Sequence, residues 1–212
     1  MTATIMLGYV HPGMTHGHFP LSLLNMALDR ANPIVAASAS SYPSNAKARN
    51  HVISTFLDSD ADNLLWVDDD CTVDSDGPRK LLNRMQMARA DMAHAYSFGY
   101  NPETGRVYGG AWDYADEKWA PVDLNYEEIW VGGVGCHFGM INRSVYEAWD
   151  GPWHVDHLEH PETGRPMGHD LAFCLKAQQL GASRVLYTHH VQTGHLKDWN
   201  ISWDDYMRSE GK

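Results

Sequence analysis

Three consecutive carboxylates, Asp68, Asp69 and Asp70, follow directly on an apolar run in the stretch NLLWVDDDCTVDSDG. Adjacent negative charges repel one another, and a cation is what makes such a cluster tolerable. Mg2+ or Mn2+ takes one or two protein carboxylates and fills its remaining positions with phosphate oxygens and water. The chemistry indicated is therefore a divalent cation bridging a diphosphate. On an extended segment Asp68 and Asp70 point the same way and Asp69 elsewhere, which suits one carboxylate near a nucleoside and one on the metal. Three other readings compete. The cluster can be a solvated acidic turn. It can be an EF-hand, but with Gly77 as the loop glycine Asn83 stands where the bidentate glutamate belongs. It can be a phosphotransfer aspartate, which leaves the His-rich second half of the chain without a role.

An element must deliver these carboxylates, and NLLWV is too short for a helix and apolar enough for a buried central strand ending at Asp68. Upstream, TIMLGYV reads as an opening strand, PLSLLNMALDR as a helix and PIVAAS as a short strand. SNAKARNHVISTFLDS reads as a helix capped by Ser44, with Val52 and Phe56, and Ile53 and Leu57, spaced by four. GPRKLLNRMQMARAD reads as a helix with proline at its first turn. This alternation predicts an α/β fold with an open, mostly parallel sheet whose strand ends carry the ligand. From 97 to 138, glycines, aromatics and turn signals predict hairpins and a strand entering from the substrate side. NRSVYEAW then reads as a short helix, DLAFCLKAQQLG as a helix stopped by Gly181, and SRVLYTHH as a strand.

The 212 residues suffice for one substantial core, so a single domain over 1–212 is expected. A formal net charge of −11 argues against non-specific nucleic-acid binding, which needs a basic surface. Cys71, Cys136 and Cys174 are odd in number and widely spaced, giving neither a disulfide framework nor a thiolate metal site. Neither a signal peptide nor an apolar run long enough for a membrane span is seen, so a soluble, cytoplasmic protein is expected.

Four segments, AKARNHVISTFLDSDADNLLWVDDD, WVGGVGCHFGMINRSVYEAW, GHDLAFCLKAQQLG and VQTGH, together resemble the nucleotide-sugar-dependent glycosyltransferases of the GT-A fold. The likeness is to small soluble family 2-like members found in phage genomes, which would place the protein in a host cytoplasm. The resemblance implies a Rossmann-like open sheet with a small acceptor-side mixed sheet. It makes about 1–96 a nucleotide-binding half and about 97–212 an acceptor and metal-completing half. It implies Mn2+ or Mg2+ as cofactor, held by Asp70 and His195. It sets Asp68 and Asp69 at the nucleoside and Tyr9 along the base. Arg49 would lie near the donor, with bracing of the sheet as the alternative for it and Asn50. Gly133 and Gly135 would admit the donor sugar, or serve as ordinary bulge residues. Asp170 would be the general base of an inverting hexosyl transfer, UDP-sugars being favoured as donors. His169 departs from the family's usual Glu-Asp pair, which puts the acceptor class in doubt; a glycan, a small molecule or a modified DNA nucleobase all fit. A retaining transfer remains the alternative, as does a purely helix-capping role for Asp170.

Thirteen histidines invite other readings. His154, Asp156 and His195 form the ligand order of an Fe(II) facial triad, which would need a barrel of many strands. His154, His157 and His160 are spaced by three in a polar loop and lack a fourth zinc ligand. A non-enzymatic module binding glycans or a protein partner through Trp112, Trp119, Trp130 and Trp153 is the remaining alternative.

Overall fold

The computed structural model describes residues 3–11, 17–41, 44–115, 118–124, 126–155, 158–159, 166–196 and 200–210. Asp156, His157 and His160 lie outside them.

The first half alternates as the periodicity predicts: β1 (Ile5–Val10), α1 (His18–Leu28), β2 (Ile34–Ser40), α2 (Asn45–Leu57), β3 (Asn63–Val67), β4 (Cys71–Val73), α3 (Gly77–Ala88) and β5 (Met92–Ala95). Ser44 caps α2, its side chain accepting the Lys47 N–H, and α2 buries Ala48, Val52, Ile53 and Phe56. Every residue of β3 is buried, as a central strand requires. Pro78 sits in the first turn of α3, which buries Leu81, Leu82 and Met85.

The second half adds β6 (Phe98–Asn101), β7 (Arg106–Gly109), β8 (Ala111–Ala115), β9 (Lys118–Pro121), β10 (Glu128–Val131), β11 (Gly133–Val134), β12 (Phe138–Asn142) and α4 (Arg143–Glu147). There follow β13 (Leu158–Glu159), β14 (Pro166–Met167), α5 (His169–Gln179), β15 (Val185–Thr188), β16 (Thr193–Leu196), β17 (Asn200–Ile201) and α6 (Trp203–Ser209). Gly181 stops α5 with φ of +100°, a conformation that a side chain would strain.

Seven strands build the central sheet in the order β10-β15-β5-β12-β3-β1-β2. The sheet is mixed, which corrects the expectation of mostly parallel pairing. β1 pairs in parallel with β2 and β3, and β5 with β15. β12 runs antiparallel to both β3 and β5, and β10 antiparallel to β15. Parallel neighbours need a long crossover, usually a helix, whereas β10 and β12 arrive out of a region of hairpins and enter the sheet from the opposite end. The smaller sheet β11-β8-β9 is antiparallel throughout instead of mixed. Two apolar clusters result. Val52, Phe56, Trp66, Tyr146 and Phe173 gather in the first, and Phe19, Leu65, Leu81, Phe138 and Leu186 in the second. The architecture is an α/β fold with helices flanking a central sheet. It leaves no many-stranded barrel among the described residues, so the Fe(II) reading loses its scaffold. No described helix is long and apolar enough to cross a membrane.

Candidate functional site

Asp68 to Asp70 form a turn beyond the carboxyl end of β3, closed by the Cys71 N–H donating to the Asp68 carbonyl at 3.1 Å. This corrects the extended geometry expected from the two-residue spacing; what aims Asp70 is the pairing of the strand after it. β4 pairs antiparallel with β16, with Cys71 opposite His195 and Thr72 opposite Gly194. The Leu196 N–H adds a bond to the Asp70 carbonyl at 2.7 Å. As a result His195 Nε2 stands 2.9 Å from Asp70 Oδ2.

The other ring nitrogen, Nδ1, lies 2.6 Å from the Phe98 carbonyl oxygen, an acceptor only. In the tautomer that donates its one proton to Phe98, the Nε2 lone pair is turned towards the Asp70 carboxylate. Two facing acceptors are stable when a proton or a metal ion lies between them, and the carbonyl contact is the usual outer partner of a metal-bound histidine. The donor set therefore fits a divalent cation.

His137 completes the group: Asp70, His137 and His195 each bring a ligand atom within 4.8 Å of the others. His137 immediately precedes β12 and is tied down by its own backbone, the carbonyl accepting the Asp68 N–H at 2.9 Å and the N–H donating to His94 Nε2 at 3.1 Å. Burial, helped by His195, pushes its pKa down to about 3, so the ring is neutral and in ligand form at pH 7. His94 can lie there because residue 139 is glycine: a Cβ would come within 2.3 Å of the His94 ring. The sequence reading missed His137. Among so many histidines, nothing in its spacing marks it.

Arg49 is the buried hub beside this cluster. Its Nη2 pairs with Asp68 Oδ1 at 2.9 Å, Nη1 donates to Cys136 Sγ at 3.1 Å, and the guanidinium lies 5.0 Å over the Trp66 ring. At 2% exposure its guanidinium is enclosed by these partners. Burial pushes the Asp68 carboxyl up to about 7 against the pull of Arg49, with Asp170 and Asp70 adding to the rise.

Asp170 lies in the first turn of α5, where a carboxylate is favoured by the helix dipole. Its Oδ2 accepts the Cys136 N–H at 3.1 Å, and no side chain caps the helix at Gly168. Burial would raise its pKa, but the Arg49 charge, His169 and the Cys136 N–H outweigh it and hold Asp170 well below the usual carboxylate range. His169 Nδ1 is 2.7 Å from Asp170 Oδ1.

No protein-family model matches the sequence, and no curated protein does. Solved structures do resemble it. A197 from STIV superposes with a TM-score of 0.67 at 16% identity, over 95% of this chain and 91% of that one. GalNAc-T7, solved with UDP, GalNAc and Mn2+, gives 0.61 at 14% identity over 92% of this chain. The chain has a GT-A-like fold. It spans 43% of the GalNAc-T7 chain, so the likeness is to one part of that protein.

The remaining candidate residues of this GT-A-like chain fall in different surroundings. The Tyr9 ring packs on Phe19 and His11, and Asp69 is half-buried in the turn. A Cβ on Gly133 would meet Leu171 and the Trp119 ring at 2.8 and 2.9 Å, so packing alone accounts for that glycine. A Cβ on Gly135 would meet only the Trp112 ring, at an ordinary contact distance of 4.0 Å. Trp153 is buried against Tyr146 and Phe173 and cannot serve as a glycan platform, whereas Trp130 is exposed.

Proposed function

We propose that the protein is a metal-dependent glycosyltransferase that moves a sugar, as a hexosyltransferase, from a nucleoside-diphosphate sugar to a hydroxyl acceptor, with UDP-sugars as the favoured donors. The observation that carries this reading is the Asp70–His137–His195 group beyond a central strand of a GT-A-like fold. Two imidazoles and one carboxylate suit Mn2+ better than Mg2+, which prefers oxygen. The cation, when bound, neutralises charge on the departing diphosphate. The chain's own part is to hold the ligands in register through the β4–β16 pair and to keep His195 in the tautomer that presents Nε2. In this reading the first half, to about residue 96, binds the nucleotide and the second half completes the metal site and receives the acceptor.

Asp170 is the candidate base. Arg49 and His169 keep it ionised, and a base on the acceptor side gives inversion. A specific observation favours retention as the second reading: Asp170 Oδ1 is buried and Oδ2 already accepts the Cys136 N–H, which leaves Oδ2 a single lone pair for an acceptor hydroxyl.

The test is consumption of a panel of UDP-, GDP- and TDP-sugars with Mn2+, with Mg2+ and after exhaustive EDTA treatment. Metal-dependent release of the nucleoside diphosphate is expected. Glycan binding without turnover of any donor would replace the enzyme by a binding module. Proton NMR of the first-formed product then assigns inversion or retention.

A further inference from the structure

His154 has no part in the transfer reading, yet with His169 and Asp170 it brings two imidazole nitrogens and a carboxylate oxygen within 4.8 Å of one another. The geometry points to a second metal site, held by His154, His169 and Asp170 and taking a late first-row divalent cation of the Zn2+ class. It shares no ligand with the Asp70–His137–His195 group. The two groups meet at neighbouring residues, since Cys136 donates its N–H to Asp170 and His137 follows it in the chain.

The clustering of these three side chains and one unpartnered buried atom carry the inference. His154 is 4% exposed, and its Nδ1 is buried with no hydrogen-bond partner. His169 Nδ1 and Asp170 Oδ1 are also buried, and they face each other at 2.7 Å as an ion pair. A buried polar atom left unsatisfied is strongly disfavoured, and a cation held at this group would take up the unpartnered His154 ring together with the buried charge of Asp170. Atoms no more than 4.8 Å apart share a point at most about 2.8 Å from each (4.8 divided by √3), so small side-chain shifts reach zinc bond lengths of roughly 2.0–2.2 Å.

The surroundings hold the ligands in place. The Asn50 amide clamps the His154 backbone, donating to its carbonyl at 2.6 Å and accepting its N–H at 3.0 Å. The His154 ring stacks on Phe173 with an interplanar angle of 7°. The Asn45 amide lies 3.3 Å from His169 Nε2. With its oxygen turned inward, that amide accepts the Nε2 proton and leaves the Nδ1 lone pair to the metal. Burial, reinforced by Arg49, pushes the His154 pKa down to about 3, which keeps the ring neutral at pH 7. Arg49 opposes a cation here, and its pairing with Asp68 offsets that charge. Two histidines and one carboxylate select a borderline cation over Mg2+.

Occupancy would engage Asp170 and remove it as a proton acceptor, so Zn2+ should inhibit transfer at saturating Mn2+; this consequence rests on the transferase reading. Binding itself does not, and is read without any sugar nucleotide. The full chain carrying Asp70→Asn and His195→Ala, freed of metal, is titrated with Co2+ and followed by its visible absorption. We expect one equivalent to bind, to be displaced by Zn2+, and to weaken at least tenfold when His169→Ala is added. No Co2+ binding, or equal binding with and without His169→Ala, overturns the site. A measurement independent of variant folding is anomalous diffraction from wild-type crystals soaked in Zn2+. A peak bonded to His154, His169 and Asp170 is expected, and its absence overturns the site. Loss of this site would leave metal-dependent transfer standing, and absence of transfer would leave a positive Zn2+ result standing.

Discussion

His195 Nε2 lies 2.9 Å from Asp70 Oδ2 although 125 residues separate them in the chain, because Cys71 and His195 face each other in the β4–β16 pair. The carboxylate and the imidazole are thus aligned by backbone hydrogen bonds. Only their side chains are left to respond to a cation.

Removing a ligand should therefore weaken the metal without unfolding the protein. With a nucleoside diphosphate present, His195→Ala and His137→Gln should each bind Mn2+ at least about tenfold more weakly by calorimetry, about 1.4 kcal/mol. Asp70→Asn should lose turnover far more than stability, since it also relieves repulsion within the acidic turn. Unchanged Mn2+ affinity in His195→Ala would remove that ligand from the site.

Arg49 makes a contrasting prediction. Arg49→Met keeps the packing on Trp66 but strands the Asp68 carboxylate and the Cys136 thiol. The expected loss is roughly 2–4 kcal/mol in urea unfolding, limited by protonation of Asp68. A loss of activity with stability intact would instead show that Arg49 acts on a ligand.

Gly135 and Gly133 separate close approach from packing. Gly133→Ala should destabilise the fold by about 1–3 kcal/mol through contact with Trp119 and Leu171. Gly135→Ala meets only the Trp112 ring, at an ordinary contact distance of 4.0 Å, and should fold normally. If a donor sugar passes over Gly135, its KM should rise in that variant. An unchanged KM would limit Gly135 to a structural role.

Acid should destabilise the metal-free protein over a defined window. Burial pushes His94 down to about 4 and His137 and His154 down to about 3, against an ordinary value of 6.5. Below pH 6.5 the unfolded chain takes up protons that the folded chain refuses, so it binds more protons throughout that window. Stability is therefore fully present above pH 6.5 and is lost as the pH falls towards the folded values, about 2 kcal/mol per histidine by about pH 5. Urea midpoints at about pH 7.5 and about pH 5 check this, and equal midpoints would mean that the rings are not buried as neutral groups.

Arg143 donates to the carbonyls of Phe56, Leu57, Ser59 and Ala61 and lies over the Phe56 ring, so it ties the end of α2 to α4. Arg143→Ala should cost roughly 2–4 kcal/mol in urea unfolding by leaving several carbonyls unpaired, with metal binding unaffected once folded. A shift in Mn2+ affinity would instead couple this end of α2 to the site.

What the sequence determined by itself were features set by a few neighbours along the chain. The Ser44 cap, the apolar run that makes β3 and delivers Asp68, the Pro78 start of α3 and the Gly181 stop of α5 each depend on local geometry and were legible. The pairing of Asp70 with His195 came from the family resemblance, and its physical cause is the Cys71–His195 register, which no local pattern encodes. Strand direction was not legible either: β12 runs antiparallel because of where the chain re-enters the sheet, and a short apolar run reads alike in both directions. Arg49 stands in the polar stretch NAKARNH, where nothing local separates an exposed place from a buried one, and it is buried because Asp68, Cys136 and Trp66 converge on it from β3 and the approach to β12. His137, His154 and His169 owe their roles to the same cause. An imidazole becomes a candidate ligand through burial, a fixed tautomer and converging lone pairs, and only the tertiary structure brings those together.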